Sequence, residues 1–235
     1  MFNHIELKLP QLERETIDGI RYYKVPDEDQ LLKLVSITSI TSHFNREIFI
    51  NWRKKVGEEE AEKITKAATS RGTDMHSLVE NYLYNKDLPP VAPIAVFLFK
   101  IAKTELNRIN NIYALEGSLY SRQLGIAGTV DCIAEYNGEL AIIDFKTSKK
   151  PKPREWIEHY FVQCMAYGCM LYELTGISVK KLVIIAVTIV FPKAQTRHFL
   201  VLNCVFMGLT VNPFYRIMGV CKHNTKPTGI DWTNA

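Results

Sequence analysis

A hairpin signal near the middle of the chain constrains the fold more than any other feature. The dipeptide Asn137-Gly138 separates two runs, 126–136 and 139–145, that are rich in apolar and β-branched residues. Asparagine and glycine both accept the positive φ angles of a type I′ turn, so the pattern predicts a tight antiparallel hairpin. In a hairpin with a two-residue loop, residues that are equally distant from the turn face each other, which fixes the register of the whole segment.

The predicted register brings three charged side chains onto one face of this hairpin. Asp131 and Asp144 are equally distant from the turn and should oppose each other, and Lys146 shares the face of Asp144 because strand side chains alternate. Directly opposed like charges destabilise a sheet, and Asp144 closes the apolar run LAIIDF. Carboxylate oxygens suit Mg²⁺ or Mn²⁺, so we expect a divalent cation between the aspartates. The alternative is an exposed face that carries an ordinary salt bridge.

Several motifs, in chain order, resemble those of the PD-(D/E)xK nuclease superfamily in its RecB-type branch. Gly128-x-x-Asp131 with Asp144-x-Lys146 is similar to the superfamily signature, and segments 72–76 and 163–167 resemble the GxxxH and QxxxY motifs of the branch. The strings VDCIAEY and KTSKKPKP are similar to strings in phage exonucleases and in the mitochondrial genome maintenance exonuclease family. The resemblance covers roughly residues 35–190.

The resemblance implies an α/β (α+β) fold with a restriction-endonuclease-like core, in which helices flank a central mixed β-sheet and a helical subregion precedes it. It also implies a Mg²⁺- or Mn²⁺-dependent deoxyribonuclease, an exonuclease that processes single-stranded DNA ends in phage recombination, repair or replication. A structure-specific endonuclease on the same core and a catalytically silent nucleic-acid-binding module are the alternatives. Some RecB-type relatives hold an iron–sulfur cluster, but no cysteine precedes Cys132, so no cluster is expected here.

Roles for individual residues follow from the resemblance and from the predicted hairpin. The expected metal ligands are His76, Glu116, Asp131 and Asp144. A phosphate contact or a structural hydrogen bond is the alternative for the histidine. Lys146 would position the attacking water or stabilise charge on the phosphate. Gln163 and Tyr167 share a helix face, and we expect them at the rim of the site, where they would orient the scissile phosphate. The expected catalytic set is Lys146, Asp144, Asp131, Gln163 and Tyr167.

Cations and one aromatic side chain supply the predicted DNA contacts. The loop after Lys146 is rich in lysine and arginine, and its position beside Asp144 favours contact with a phosphate backbone over a merely solvated loop. Trp52 lies among cationic residues and fits base stacking and a half-buried core position equally well. The predicted contact residues are Arg71, Lys149, Lys150, Lys152, Arg154, Trp52 and Arg53.

The chain is expected to form one domain, because 235 residues with 47% hydrophobic composition can bury a single sizeable core. Within residues 1–235, we expect an irregular lead-in over 1–34, a helical subregion over 35–111, a nuclease core over 112–205 and a short C-terminal tail over 206–235. The predicted helices are 45–56, 58–69, 73–83, 95–111 and one from Pro153 to before Gly176, and further strands are predicted over 112–119, 181–191 and 196–205.

Composition limits the partners and the cellular compartment that we expect for the protein. A net charge of +4 permits a nucleic-acid partner without requiring one, and the five cysteines, which lack paired spacing, are expected to be reduced. The N-terminus has the character of neither a signal nor a transit peptide, and no run reaches the roughly 18 apolar residues of a membrane span. These features favour a phage or bacterial cytoplasmic setting over a mitochondrial precursor, and the resemblance to phage exonucleases implies a phage protein in a bacterial host. The resembled families contain both ring-shaped oligomers and monomers, and we expect a monomer here. DNA is its expected partner, with recombination or replication proteins as candidates.

Overall fold

A computed structural model describes residues 1–27, 30–149, 157–188 and 199–205 of the chain. The helices and strands that lie in these ranges are, in chain order, β1 (Glu13–Ile17), β2 (Ile20–Asp27), β3 (Gln30–Ser36), α1 (Ile37–Phe44), α2 (Arg46–Val56), α3 (Glu58–Leu83), α4 (Pro93–Leu106), β4 (Ile109–Ser121), β5 (Ile126–Tyr136), β6 (Glu139–Ser148), α5 (Glu158–Thr175), β7 (Lys181–Thr188) and β8 (Phe199–Val205).

The strands form one mixed sheet around β5. β1, β2 and β3 make an antiparallel meander, and β3 then pairs with β5 in parallel. β4 and β6 run antiparallel to β5, β7 runs parallel to β6, and β8 runs antiparallel to β7. Helices cover both faces of the central strands, so the predicted fold class, a central mixed sheet flanked by helices, is confirmed.

Two apolar cores lie on opposite faces of the central strands. Leu78 of α3 packs in one core with α4, and Met170 of α5 packs in the other with α1. Neighbouring residues of β6 alternate between them, since Ile143 belongs to the first core and Ile142 to the second. This period of two is that of a strand buried on both faces, as the apolar run before Asp144 predicts.

The central hairpin has the predicted register. β5 and β6 pair from the turn as far as Cys132 and Ile143, and both turn residues have the positive φ angles of a type I′ turn. The pairing ends there, one residue before Asp131 and Asp144. The two aspartates are therefore the first residues beyond the paired part of the ladder.

The predicted irregular lead-in over 1–34 is wrong. Strands β1, β2 and most of β3 lie in it, and the residues before them already contact β4, where the Ile5 amide donates to the Ile112 carbonyl at 2.8 Å. Asp18 and Gly19 form the β1–β2 turn with φ angles of 51° and 78°. This turn has the same backbone geometry as the central hairpin, so an Asp-Gly signal specifies it as Asn-Gly specifies the other.

The helical subregion departs from its predicted boundaries. α3 is continuous, whereas the sequence predicts a break at Gly72. A Cβ at Gly72 would meet nothing within 4 Å, and one glycine inside a helix costs only about 1 kcal/mol. Residues 37–44 form an additional helix, α1, which is capped by Ser36, whose Oγ accepts from the Thr38 amide. α4 ends and β4 begins earlier than predicted. Within the described ranges, no helix is both long and apolar enough to cross a bilayer.

Besides the ends of the predicted strands 181–191 and 196–205, two predicted segments fall outside the described residues. The predicted helix start at Pro153 is one, and the described part of this helix, α5, begins at Glu158. The other is the C-terminal tail over 206–235.

Candidate active site

A fork in the sheet opens beside β5. Because β4 pairs with β5 along its whole length, the other edge of β5 is shared by β3, at Ile126 and Ala127, and by β6, from Cys132 to Tyr136. Residues 128–131 lie between these partners and pair with neither. A cleft of about 320 Å³ lies at this fork, and its walls come from the β1–β2 hairpin, α1, β4, β5, β6 and α5.

At the level of the fork, the side chains of β4 and of β5 switch from one apolar core to the other. Leu115 and Cys132, a cross-strand pair, belong to the core of α3 and α4, whereas Leu119 and Val130 belong to the core of α1 and α5. Residues two or four apart share one face of a regular strand, so both strands must twist sharply here. Glu116 lies at this break with a φ of 50°, a left-handed value that few glutamates adopt.

Three of the predicted metal ligands meet at the fork. His76 from α3, Glu116 from β4 and Asp131 from β5 each offer a ligand atom, and these atoms lie within 4.8 Å of one another. The imidazole Nδ1 is 3.8 Å from Glu116 Oε1, and Nε2 is 3.9 Å from Asp131 Oδ2. The side chains of His76, Glu116 and Asp131 are 33%, 42% and 11% exposed, so a ligand can reach the group from solvent.

The backbone of Phe145 orients two of these side chains. Its amide donates to Asp131 Oδ2 at 2.8 Å, and its carbonyl lies 2.9 Å from His76 Nε2. A carbonyl only accepts hydrogen bonds, so Nε2 must carry the hydrogen in this contact. In neutral His76, Nδ1 is then the nitrogen with a free lone pair, and it faces Glu116.

Asp144 is not a member of this group of three, although Asp131 and His76 are close enough to affect its pKa. It is 1% exposed, its Oδ1 accepts from Lys146 Nζ at 2.5 Å and from Gln163 Nε2 at 3.3 Å, and its Oδ2 is buried without a hydrogen-bond partner. The expected four-ligand set is therefore only partly assembled, because His76, Glu116 and Asp131 form a group that does not include Asp144.

Gln163 and Tyr167 line the cleft, but they are more deeply buried than a position at its rim implies. They are 6% and 1% exposed, and Gln163 Nε2 donates to both Asp144 Oδ1 and the Tyr167 hydroxyl, at 3.3 and 3.2 Å. α5 packs directly on the sheet, so Gln163 contacts the Asp144 carboxylate at the wall of the cleft. A close approach makes this possible: a Cβ on Gly128 would lie 2.8 Å from Tyr167 Cε1 and 3.1 Å from Ile37 Cγ2.

Electrostatics at the fork favour cations. Burial alone would lower the pKa of His76, but the Glu116 and Asp131 carboxylates outweigh it and raise this pKa to about 9. Burial raises the pKa of Asp144, and Asp131 adds to that rise. Burial would lower the pKa of Lys146, but the attraction of Asp144 and Asp131 raises it, so the side chain is an ammonium ion.

These donors fit a divalent cation. One imidazole and two carboxylates make a nitrogen-and-oxygen set of the kind that binds Mn²⁺, and the carboxylates alone suit Mg²⁺. The buried Asp144 Oδ2, which has no partner, is a further oxygen that gains from a nearby positive charge. Because the two carboxylates already hold a proton on His76, they would attract a metal ion in its place.

Several cleft residues have no predicted site role, although Tyr160 is predicted on the helix face of Gln163 and Thr129 opposite Lys146. The aromatic ring of Tyr160 lies 5.3 Å from Lys146 Nζ, and its spacing to Gln163 and Tyr167 along the helix is the signal that points to it. The Tyr23 hydroxyl lies 3.0 Å from Thr129 Oγ1. The segment RYYKV resembles a short strand in the sequence, but no pattern in it predicts a place at the site. The cleft residues without a predicted site role are Arg14, Arg21, Tyr23, Thr38, Thr41, Ser42, Thr129, His159 and Tyr160.

The predicted DNA contacts are scattered. Trp52 and Arg53 lie on α2 and do not line the cleft, and Arg53 makes an ion pair with Glu58. Arg71 is buried on α3, with its Nε unpartnered. Lys149 is exposed directly after β6. The remaining three predicted contacts, which are Lys150, Lys152 and Arg154, lie outside the described residues.

Comparison with known proteins finds a nuclease family and exonuclease relatives. The sequence profile of the PD-(D/E)XK nuclease superfamily matches residues 52–201. Mitochondrial genome maintenance exonuclease 1 of Xenopus tropicalis is 32% identical over 110 residues, which are 43% of this chain and 31% of that protein. Its Homo sapiens counterpart is 40% identical over 72 residues, 29% of this chain and 20% of that protein. The Mus musculus counterpart is 48% identical over 48 residues, 20% of this chain and 14% of that protein.

The matches to individual relatives are short, whereas the family match is long. The matched part of the chain spans less than a third of the length of each relative. The superfamily profile covers well over half of the chain, from α2 to β8, and includes His76, Glu116, Asp131, Asp144 and Lys146. The chain belongs to the PD-(D/E)XK nuclease superfamily.

Proposed function

We propose that this protein is a metal-dependent DNA exonuclease that hydrolyses phosphodiester bonds at single-stranded ends. One observation carries the proposal: the His76, Glu116 and Asp131 ligand atoms lie within 4.8 Å of one another, at an open fork that also holds the Asp144–Lys146 ion pair. A merely structural salt bridge explains neither of two observations. Three candidate ligands lie together, and a buried oxygen of Asp144 has no hydrogen-bond partner.

The proposed ligands are His76, through Nδ1, with Glu116, Asp131 and the free oxygen of Asp144. When bound, Mg²⁺ or Mn²⁺ would polarise the scissile phosphate and lower the pKa of an attacking water. The protein supplies the rest. Phe145 fixes the orientation of His76 and Asp131, so the donor atoms are in place before a cation arrives.

Lys146 acts in this proposal through its charge. The ammonium group is held by Asp144 and lies over the ring of Tyr160, so it has a defined position beside the cleft. There it would stabilise the negative charge that develops on the phosphate as the water oxygen bonds to phosphorus and the bond to the leaving oxygen breaks. The attraction of Asp144 and Asp131 raises the pKa of Lys146, so the proposal uses this side chain as a fixed positive charge. Gln163 donates hydrogen bonds to both Asp144 and Tyr167 and so holds the Asp144 carboxylate in place.

The dimensions of the cleft support a single-stranded substrate. Its 320 Å³ lie between the β1–β2 hairpin, α1 and α5, and this space suits one strand better than an intact duplex. The mitochondrial relatives are named as exonucleases that act in genome maintenance, which supports an exonuclease that acts on DNA. The motif resemblance to phage exonucleases supports processing of DNA ends during recombination, repair or replication.

Digestion of three DNA forms tests this proposal. End-labelled linear single strands, circular single strands and blunt duplexes would be incubated with Mg²⁺, with Mn²⁺ and with EDTA. We expect metal-dependent loss of the linear single strand alone. Cleavage of the circle would make the protein an endonuclease, and binding without cleavage in either metal would make it a nucleic-acid-binding module.

A further inference from the structure

A second groove continues the cleft away from the fork. It lies between the β1–β2 hairpin and helices α1 and α2 and has a volume of about 800 Å³. Arg21, Thr38, Ser42 and His159 line both the groove and the cleft, so the two spaces are contiguous. A polymer that enters the groove can therefore extend to the cleft, where Lys146 lies, without leaving the protein surface.

The groove is positively charged. Arg21 and Arg46 line it, and Arg14 lies where the cleft meets the β1–β2 hairpin. All three arginines are exposed, and none has an ion-pair partner among the described residues. Asp18 is the sole acidic side chain among the groove residues that the structure describes. Arg53, by contrast, is half-buried on α2 and pairs with Glu58, so it is less available to a phosphate than the arginines of this groove.

An exposed aromatic residue completes the surface. Phe49 of α2 lines the groove and is 44% exposed, and its ring centroid is 5.4 Å from that of Trp52. None of the residues of α2 is buried. Ile48, beside Phe49 on α2, and Phe44, the last residue of α1, are more exposed than Phe49. Apolar rings that face water beside unpaired cations are typical of surfaces on which nucleobases stack.

We infer that this groove binds the segment of the single strand adjacent to the scissile phosphate, with its phosphates on Arg21 and Arg46 and a base on Phe49. The inference rests on the proposed function, because it takes the strand to be the substrate of the fork. A positive groove with an aromatic wall is the arrangement by which proteins hold single strands without reading their sequence. A purely apolar protein partner would leave the arginines uncompensated, and a duplex would hide its bases from Phe49.

Salt dependence of DNA binding tests the arginines. The protein would be titrated with a fluorescent oligothymidylate of about 20 nucleotides in EDTA, where no cleavage occurs, at several salt concentrations. Arg21→Gln and Arg46→Gln should each reduce the slope of log affinity against log salt by about 0.7, the value for one phosphate contact on a single strand. Lys100→Gln is the control, since exposed Lys100 on α4 lines neither space and carries the same charge. Slopes equal to that of Lys100→Gln would overturn the inference.

Phe49→Ala tests the stacking surface. The side chain is exposed, so the variant should fold, and we expect its affinity for the single strand to fall about tenfold or more with an unchanged salt slope. Its affinity for a blunt duplex should not change. An equal loss on duplex and single strand, or no loss on either, would contradict a base-stacking role.

The outcomes separate this inference from the proposed function. If the wild type cleaves linear strands while the Arg21 and Arg46 variants bind like the control, the groove assignment fails and the nuclease proposal stands. If the groove variants lose affinity but the wild type cleaves no DNA in Mg²⁺ or Mn²⁺, the groove is a strand-binding surface and the nuclease proposal fails.

Discussion

Glu116 illustrates, at the scale of the residue, how the site depends on an unfavourable backbone conformation. A φ of 50° costs a glutamate of the order of 1–3 kcal/mol, and it coincides with the point where β4 and β5 exchange cores. With this φ angle, the Glu116 carboxylate lies 3.8 Å from His76 Nδ1. A regular strand would instead keep the usual alternation of side chains between the two faces of the sheet. The backbone at this position therefore lowers the stability of the fold and, at the same time, brings a candidate metal ligand to His76.

Replacement of Glu116 separates strain from ligand loss. Glu116→Gly and Glu116→Ala both remove the carboxylate, but only glycine accepts a positive φ without cost, so the glycine variant should be the more stable by about 1 kcal/mol in EDTA. In most strands the order is the reverse. Urea unfolding of both variants measures the difference, and an alanine variant that is as stable as the glycine variant would show that φ is not positive at this residue in solution.

Lys146→Ala should abolish cleavage while binding persists. Loss of a cation that stabilises transition-state charge lowers kcat by at least about 10²–10³-fold. Single-turnover cleavage and fluorescence anisotropy on one linear strand measure the two effects. The double variant Asp144→Asn/Lys146→Ala removes both charges of the pair, so it should be equally inactive and more stable than Lys146→Ala, which leaves Asp144 without its cation. Near-wild-type cleavage by either variant would remove the catalytic assignment.

At the scale of the element, the contact between β5 and α5 sets the depth of the site. Tyr167 lies against the backbone of Gly128, and this allows Gln163 to reach Asp144. Gly128→Ala would force the buried ring and Ile37 to move, so we expect a loss of about 1–3 kcal/mol in the free energy of unfolding and a reduced cleavage rate.

Gly168→Ala provides the matched control for Gly128→Ala. Gly168 lies inside α5, next to Tyr167 in sequence, and a Cβ there would meet nothing within 4 Å. The substitution should therefore stabilise the protein by about 0.5–1 kcal/mol, as glycine to alanine does in open helix positions. Calorimetry of both variants should give shifts of opposite sign, and two shifts of the same sign would contradict the packing described here.

Elements with strong local signals could be predicted from sequence, and those without could not. The Asn-Gly dipeptide predicts the β5–β6 register that places Asp131 beside Phe145. The equivalent signal at Asp18-Gly19 is present but is flanked by charged residues, since β1 is largely exposed, so the alternation that marks a strand is weak. α3 shows the opposite error, because Gly72 suggests an end that tertiary packing on α4 overrides.

At the scale of the whole molecule, the site is an assembly of distant segments. His76, Glu116 and Asp131 come from three elements that meet only when both cores have formed, and short-range patterns do not specify such meetings. Motif resemblance predicted the members of this group, but it did not predict the burial of Gln163 and Tyr167 or the wall formed by the β1–β2 hairpin. Both of those features depend on how α5 and β2 pack.

Divalent cations should stabilise the folded protein as a whole. A ligand that binds only the native state adds about 2.7 kcal/mol at a concentration of one hundred times its Kd. Thermal unfolding with increasing Mn²⁺ or Mg²⁺ should therefore raise the Tm of the wild type but not of Glu116→Ala. Glu47→Gln, which removes an exposed carboxylate from α2, is the control and should respond like the wild type. An equal rise in all three proteins would place the cation elsewhere.

Cleavage by Asp131→Asn tests the account most directly. Asparagine keeps an oxygen that can accept from the Phe145 amide, so the variant preserves the local hydrogen bond and loses only the charge at the centre of the candidate metal site. On an end-labelled linear single strand in Mg²⁺ or Mn²⁺, we expect the wild type to degrade the strand and Asp131→Asn to bind it without degrading it. Degradation by Asp131→Asn at the wild-type rate would contradict the assignment of the fork as the nuclease site.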